Sequence, residues 1–309
     1  MDTIITKGLT KKFGDLAAVE NLSINVAEGE CFGLVGPDGA GKTTTMRLLT
    51  SIMDPTSGDA WIDGLHIVKD SEAIKGKIGY MSQKFGLYPD LTVMENLNFY
   101  ADIYCVPQKG RKEKIENLLS FSNLTPFKKR QAGRLSGGMK QKLGLACALI
   151  HTPRILFLDE PTNGVDPVSR RDFWKILYQL LKQKVTIFVS TSYLDEAERC
   201  NRLALIHKGN LIASGTPALI KKMMPSKILE ISTLYPRKTA GVLKQNFTCA
   251  DISLFGDRVH FSGTNISGDV ENIESFLSNS GIEIKTIREI EPTLEDVFVS
   301  ALKNGSENY

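Results

Sequence analysis

Short, unbroken apolar runs punctuate the chain up to about residue 217. CFGLVG (31–36), RILFLD (154–159) and VTIFVS (185–190) carry β-branched and aromatic residues without a helical period. Such runs suit parallel strands buried on both faces. CFGLVG enters a glycine-rich loop, with a helix expected from Gly41. RLALIHKGNLIASG (202–215) reads as two strands around a Gly209-Asn210 turn. Between about 85 and 150 the spacing turns mostly helical, through TVMENLNFYADIY, RKEKIENLLSFSNL and GGMKQKLGLACALI. This predicts a helical insertion in an α/β core.

The pattern changes after Pro217. The spacing predicts a strand (226–233), a helix (236–246) and two strands (251–255 and 258–263) joined at Gly256-Asp257. A helix (268–280) and a strand (282–290) follow. The order βαββαβ is the split βαβ plan of ferredoxin-like folds. A last helix is expected over 293–304. The chain thus divides into residues 1–217 and a smaller α+β domain, 218–309.

Composition narrows the function classes. A chain of 309 residues with 42% apolar residues has enough apolar material for a core. Its 38 basic and 35 acidic residues leave a net charge of +3, too balanced to imply a nucleic-acid partner. The apolar runs fall far short of the roughly 20 residues that span a bilayer. The start, MDTIITKGLTKKFG, has neither the apolar stretch nor the cleavage site of a secretory signal. The five scattered cysteines form no CxxC pair and suggest reduced thiols in a cytosolic protein.

The candidate chemistry begins at Gly36-Pro37-Asp38-Gly39-Ala40-Gly41-Lys42-Thr43-Thr44, which fits G-x-x-x-x-G-K-[ST] in full. Glycines let backbone N–H groups turn inward around phosphates, and the following helix aims its positive end at the same place. Lys42 is then placed for the β- and γ-phosphates and Thr43 for Mg²⁺. ILFLDEP ends a buried strand in Asp159-Glu160. Asp159 suits a metal ligand, and Glu160 suits a general base acting on water. A chance glycine turn and a solvated acidic turn are the plainer readings of each motif alone; together, strand–loop–helix and strand–carboxylate favour a nucleotide site.

LSGGMKQKLGLA (135–146) makes the reading specific. Ser136, Gly137 and Gly138 offer a hydroxyl and backbone donors at a helix N-terminus. With the two preceding motifs, residues 4–217 resemble the ATP-binding subunits of ABC transporters, and drug-exporter ATPases among them. The wording GPDGAGKTT, QKFGLYPDLTVMENLNFYAD and SYLDEAERC is similar to the first cassette of fused two-cassette exporters. The resemblance implies a P-loop NTPase core with an antiparallel β subdomain and a helical subdomain. It also implies ATP with Mg²⁺, and a head-to-tail pair of cassettes in which the Ser136–Gly138 run of one grips the γ-phosphate held by the other. Gln83 resembles the glutamine that touches Mg²⁺ or the attacking water. Phe13 resembles the aromatic that stacks on adenine, though a core aromatic is the plainer reading. Asp166 resembles an aspartate that crosses the dimer interface. Phe85, Leu87, Tyr88 and Leu91 would line a groove for membrane subunits, or are plain core. The tail, ending in EPTLEDVFVSAL, resembles the accessory domain of many bacterial exporter ATPases.

Three positions depart from the pattern. Asp38 stands where Asn is common. Asn163-Gly164-Val165-Asp166 replaces the usual Ser-Gly-Leu-Asp. Ser192, in STSYLDEAE, occupies the place of a histidine that contacts the γ-phosphate; the four histidines lie elsewhere. The resemblance implies a motor subunit, peripheral on the inner face of the cell membrane, working with transmembrane permease subunits and a second ABC ATPase subunit. Ser192 keeps open a nucleotide-binding regulatory subunit with little hydrolysis, slow alone and faster beside a second ATPase chain. A non-transport ABC ATPase acting on DNA or ribosomes is the remaining reading. Such relatives carry long coiled coils or tandem cassettes, and neither is evident.

Overall fold

Strands β4 (Cys31–Val35), β8 (Ile155–Asp159) and β9 (Thr186–Thr191) are buried at every position. They have no polar face because they lie inside one sheet covered on both sides. The computed structural model describes residues 1–84, 86–224, 228–247, 251–262 and 266–306. Two units divide between Thr216 and Pro217.

In the first unit the main sheet has the order β11-β10-β4-β9-β8-β7, with β7 (Ile78–Met81), β10 (Arg202–His207) and β11 (Asn210–Gly215) completing it. All neighbours pair in parallel except β11, which returns antiparallel from β10. The hairpin turn is Lys208-Gly209, so Asn210 already belongs to the strand. Register sets Val35 opposite Thr191 and Asp159 opposite Ser190. The phosphate loop, the carboxylates and Ser192 therefore leave the sheet along one carboxyl rim, where open α/β sheets place their ligands.

A second sheet runs β2-β1-β5-β6, with β3 added to β1. Its strands are β1 (Asp2–Phe13), β2 (Leu16–Leu22), β3 (Asn25–Ala27), β5 (Ser57–Ile62) and β6 (Leu65–His66), all paired antiparallel. One core joins this sheet to the main one through Ile4, Leu9, Val26, Ile62, Phe32 and Phe157. On the other face, Leu145, Trp174, Leu177, Ile187 and Val189 pack with helices α5 (Gly137–Ala148) and α6 (Pro167–Lys182).

The first helix of the chain, α1 (Lys42–Leu49), starts one residue later than the pattern suggests, because Gly41 is its N-cap. After α2 (Ser71–Lys75), the next helix is α3 (Val93–Ile103), and residues 86–92 before it are turn and irregular chain. A capping box sets that start. Thr92 Oγ1 accepts from Glu95 N at 3.2 Å, and Glu95 Oε2 accepts from Thr92 N at 2.7 Å. Buried Asn96 pins the preceding turn, accepting from Tyr88 N and donating to Tyr88 O, Leu91 O and Thr92 O. Helices α3, α4 (Arg111–Phe121) and α5 close on Leu97, Ile115, Leu119, Leu143 and Cys147. The charged SYLDEAER run is only a four-residue helix, α7 (Leu194–Ala197).

In the second unit, α8 (Pro217–Lys221) precedes β12 (Ile228–Thr233), α9 (Pro236–Asn246), β13 (Asp251–Phe255), β14 (Arg258–Ser262), α10 (Ile266–Asn279), β15 (Ile284–Ile290) and α11 (Leu294–Ser306). Residues 226, 227 and 263 of the expected strands lie outside the described residues. The sheet order is β13-β14-β12-β15, antiparallel throughout, which is the ferredoxin-like arrangement of βαββαβ. Its core holds Leu229, Ile231, Leu243, Phe261, Ile273 and Leu277.

Candidate nucleotide site

The loop after β4 is shaped by two close approaches. A Cβ on Gly36 would lie 2.3 Å from Ile206 O. Gly41 has φ +103°, and its Cβ would lie 2.2 Å from Ala18 O. No L side chain fits either position without moving backbone. Gly36 N donates to Thr191 O at 3.3 Å, and Gly209 N donates to Ala40 O at 3.0 Å, so β9 and the β10–β11 turn fix both ends of the loop. Within it, Ala40 N donates to Pro37 O at 3.2 Å.

Lys42 is buried and turned into the loop. Its Nζ donates to Gly36 O at 2.7 Å and Pro37 O at 2.9 Å, and pairs with Glu160 Oε1 at 2.9 Å. Asp38 is nearly fully exposed, with Oδ1 4.0 Å from the same ammonium. Its carboxylate stands in water beside the loop and does not fill it.

The two carboxylates have different surroundings. Asp159 Oδ1 accepts from Ser190 Oγ at 2.7 Å and from Thr43 Oγ1 at 3.3 Å. Its Oδ2 is buried with no partner among the described residues. Burial pushes the Asp159 carboxyl above the usual carboxylate range, against the lowering effect of those two hydrogen bonds. Glu160 turns off the strand at φ +48°, and its N donates to Ser190 Oγ at 3.0 Å. Its Oε2 accepts from Gln83 Nε2 at 2.9 Å and from Asn163 Nδ2 at 3.1 Å. A cleft of about 320 Å³ opens over this group, lined by Ala18, Asp38, Gly39, Gly41, Lys42, Thr43, Thr44, Gln83 and Glu160. A cation fits the donor set on one observation above all: Asp159 Oδ2 is a buried acceptor lacking a donor, next to the Thr43 hydroxyl.

Other sequence candidates lie outside that cleft. Phe13 ends β1 and is half exposed, with Lys11 Nζ 5.4 Å from its ring centroid, so it is not a core aromatic. Ser136 caps α5, accepting from Met139 N at 3.3 Å, and Gly137 is exposed beside it. Gly138 is buried against α6, where a Cβ would come within 2.5 Å of Ser169 Cβ. Asp166 caps α6, accepting from Val168 N at 3.1 Å and Ser169 N at 2.9 Å. These bonds, led by that from Ser169, hold its exposed carboxyl below the usual range. Ser192 is exposed at the end of β9. Leu87 borders a groove of about 270 Å³ with Pro89, Gly133 and Lys140. Tyr88 is half exposed against Phe99, at 4.5 Å between ring centroids, and Leu91 is partly buried. Phe85 lies outside the described residues.

Sequence reasoning missed Ser190, Asn163 and Ala18. Ser190 contacts both carboxylates' segment only because β8 and β9 pair in this register, which no local pattern announces. Asn163 was legible only as a departure from the usual Ser-Gly-Leu-Asp, yet its amide reaches back three residues to Glu160.

Comparison with known proteins agrees with this geometry. Residues 19–163 match the family described as ABC transporter. The chain is 49% identical over 229 residues to the Probable multidrug ABC transporter ATP-binding protein YbhF of Escherichia coli (strain K12), covering 73% of this chain and 40% of that protein. The match thus spans less than half that relative's length. It is 35% identical over 309 residues to the Bacitracin transport ATP-binding protein BcrA of Bacillus licheniformis, covering 99% of each. Among solved structures, it is similar to the dimeric post-hydrolysis state of the ATP-binding cassette MJ0796 bound to ADP and Pi, at TM-score 0.63 and 26% identity over 69% of this chain and 98% of that one. The P-loop core, the antiparallel subdomain and the helical subdomain are those of an ABC cassette, and the chain belongs to the ABC transporter ATP-binding family.

Proposed function

We propose that this chain binds and hydrolyses ATP as the motor subunit of an ABC exporter, with multidrug efflux as the transport class suggested by its relatives' names. The observation that carries the reading is the convergence of Lys42, Thr43 and Glu160 on one cleft, with buried Asp159 bonded to Thr43 beneath it. The loop N–H groups and the N-terminus of α1 bind the phosphates, with Lys42 on the β- and γ-oxygens. Phe13, exposed at the end of β1, offers an adenine-stacking face. Thr43 and Asp159, with Gln83 nearby, would hold Mg²⁺. Bound there, Mg²⁺ neutralises charge on the phosphate oxygens.

Glu160 takes the proton of the attacking water. In the structure its Oε1 is tied to Lys42. Phosphate oxygens compete for that ammonium, so ATP binding frees one oxygen of the base. Gln83 and Asn163 hold the other oxygen and orient it. The Ser136–Gly138 helix end completes a second subunit's site, and that subunit's equivalent completes this one.

No helix among the described residues is long and apolar enough to cross a membrane. Separate transmembrane permease subunits are the proposed partners, contacted through the 86–98 region, with the cassettes on the inner face. Ser192 favours a second reading, in which this chain works beside a different, catalytically complete ATPase subunit and mainly lends its Ser136–Gly138 run.

The test is Glu160→Gln. The variant should keep Mg-ATP binding and lose hydrolysis by at least about 100-fold. Full turnover by the variant, or no ATP binding by the wild type, refutes the proposal.

A further inference from the structure

Glu196 takes no part in the chemistry above, yet it is fully buried at the edge of the site. Its Oε1 accepts from Thr162 Oγ1 at 2.5 Å, and its Oε2 accepts from Thr191 Oγ1 at 3.0 Å. Both threonines are buried. Arg170 Nε, from α6, approaches Oε1 at 3.4 Å as an ion pair. The Arg170 guanidinium also covers the Tyr193 ring at 4.1 Å. A carboxylate withdrawn from water is costly unless it is held this way, and removing one partner leaves its charge under-compensated.

The positions of these partners give the arrangement its meaning. Thr162 lies two residues beyond Glu160, the proposed base. Thr191 lies one residue before Ser192. The Thr191 hydroxyl donates to Glu196 and also accepts from Tyr193 N at 3.0 Å, so both flanks of Ser192 are tied to one point. Arg170 sits one turn into α6, the helix capped by Asp166. One buried carboxylate therefore joins the base's segment, the Thr191–Tyr193 segment and the helix beyond the Asn163–Asp166 loop.

We propose that Glu196 is a positioning residue: it ties the segment after Glu160 to the end of β9, so that the base is held in place for the γ-phosphate. Such a role appears in turnover and not in ATP affinity, because neither Thr162 nor Thr191 lines the phosphate cleft. The inference rests on the ATPase reading given above.

The test compares Thr162→Ser, which keeps the hydroxyl to Glu196, with Thr162→Val, which keeps the volume and removes it. Single-turnover hydrolysis of Mg-ATP by excess protein gives the rate and the half-saturating concentration, with melting temperature measured beside them. Thr162→Val should slow the single-turnover rate by about tenfold, since small misplacements of reacting groups cost that much or more. Its half-saturating ATP concentration should stay within about twofold of wild type, as for loss of an interaction felt only in the transition state. Thr162→Ser should retain the wild-type rate. Adding Thr162→Val to Glu196→Gln should cost little more than Glu196→Gln alone, because both act through one contact. Equal rates for the Ser and Val variants, a loss falling on ATP affinity, or rates that follow melting temperature would each overturn the proposal. A wild-type chain that binds Mg-ATP without any single turnover defeats the ATPase reading instead, and is told apart by its intact binding.

Discussion

Ser192→His should raise hydrolysis by this chain. β9 pairs with β4 so that Thr191 O accepts from Gly36 N, the first residue of the phosphate loop, at 3.3 Å. Residue 192 is thus the first to leave the strand beside the loop. Two residues before it, the Ser190 hydroxyl touches Asp159, so position 192 follows directly on the carboxylate end of the site. An imidazole there gains reach and a donor that a serine lacks. A preorganised group of this kind is worth about 10²–10³ in rate in a closed site. Ser192 is exposed, so water screens the contribution, and a rise of about ten- to a hundredfold is expected, or about 1.4–2.7 kcal/mol. The assay is single-turnover cleavage of Mg-ATP by excess protein, with ATP affinity measured separately. Affinity should hardly change, because Lys42 and the loop backbone supply the ground-state contacts. An unchanged rate, or a gain confined to affinity, would refute the view that residue 192 limits this site.

Two further outcomes follow from the geometry. Gly41→Ala forces a side chain to φ +103° and 2.2 Å from Ala18 O, adding strain of about 1–3 kcal/mol before any clash is counted; titration calorimetry should show Mg-ATP affinity reduced more than about tenfold, and unchanged affinity would mean the loop opens freely. Asp159 keeps its proton in the fold above the ordinary value of 3.8, so the folded state binds more protons than the unfolded one there, and this residue's contribution to stability falls as pH climbs from that value through its raised folded one. Thermal melts between about pH 4 and pH 7 should therefore slope less for Asp159→Asn than for wild type, and Mg²⁺ at the upper end should stabilise only the wild type; parallel slopes would count against a strained, metal-seeking carboxylate.

Much of the fold was legible because its central strands are extreme. β4, β8 and β9 are buried on both faces, and such strands write themselves as continuous apolar runs. β1 and β2 do not. They show one face to solvent, interleave Lys7, Lys11, Lys12 and Glu20 with apolar residues, and have no single run to mark them. The antiparallel subdomain was therefore visible only through family likeness. α6 was missed for another reason. Asp166 followed by Pro167 is an N-cap with proline at the first helical position, a plain helix start. Asp166 satisfies backbone N–H groups of its own chain, a role that likeness to an interface residue does not reveal.

The site was legible by residue type and hidden in its connections. Lys42, Asp159 and Glu160 each follow from local motifs, but those motifs place Lys42 on phosphate and say nothing of Glu160. Their 2.9 Å pairing depends on how β4 and β8 flank β9, hence on register across a sheet. The pairing changes the chemistry. Both Glu160 oxygens already hold donors, Oε1 the Lys42 ammonium and Oε2 the Gln83 and Asn163 amides. Under the proposed function, phosphates that take over Lys42 would release Glu160 from it. Substrate binding and activation of the base would then be one exchange of partners.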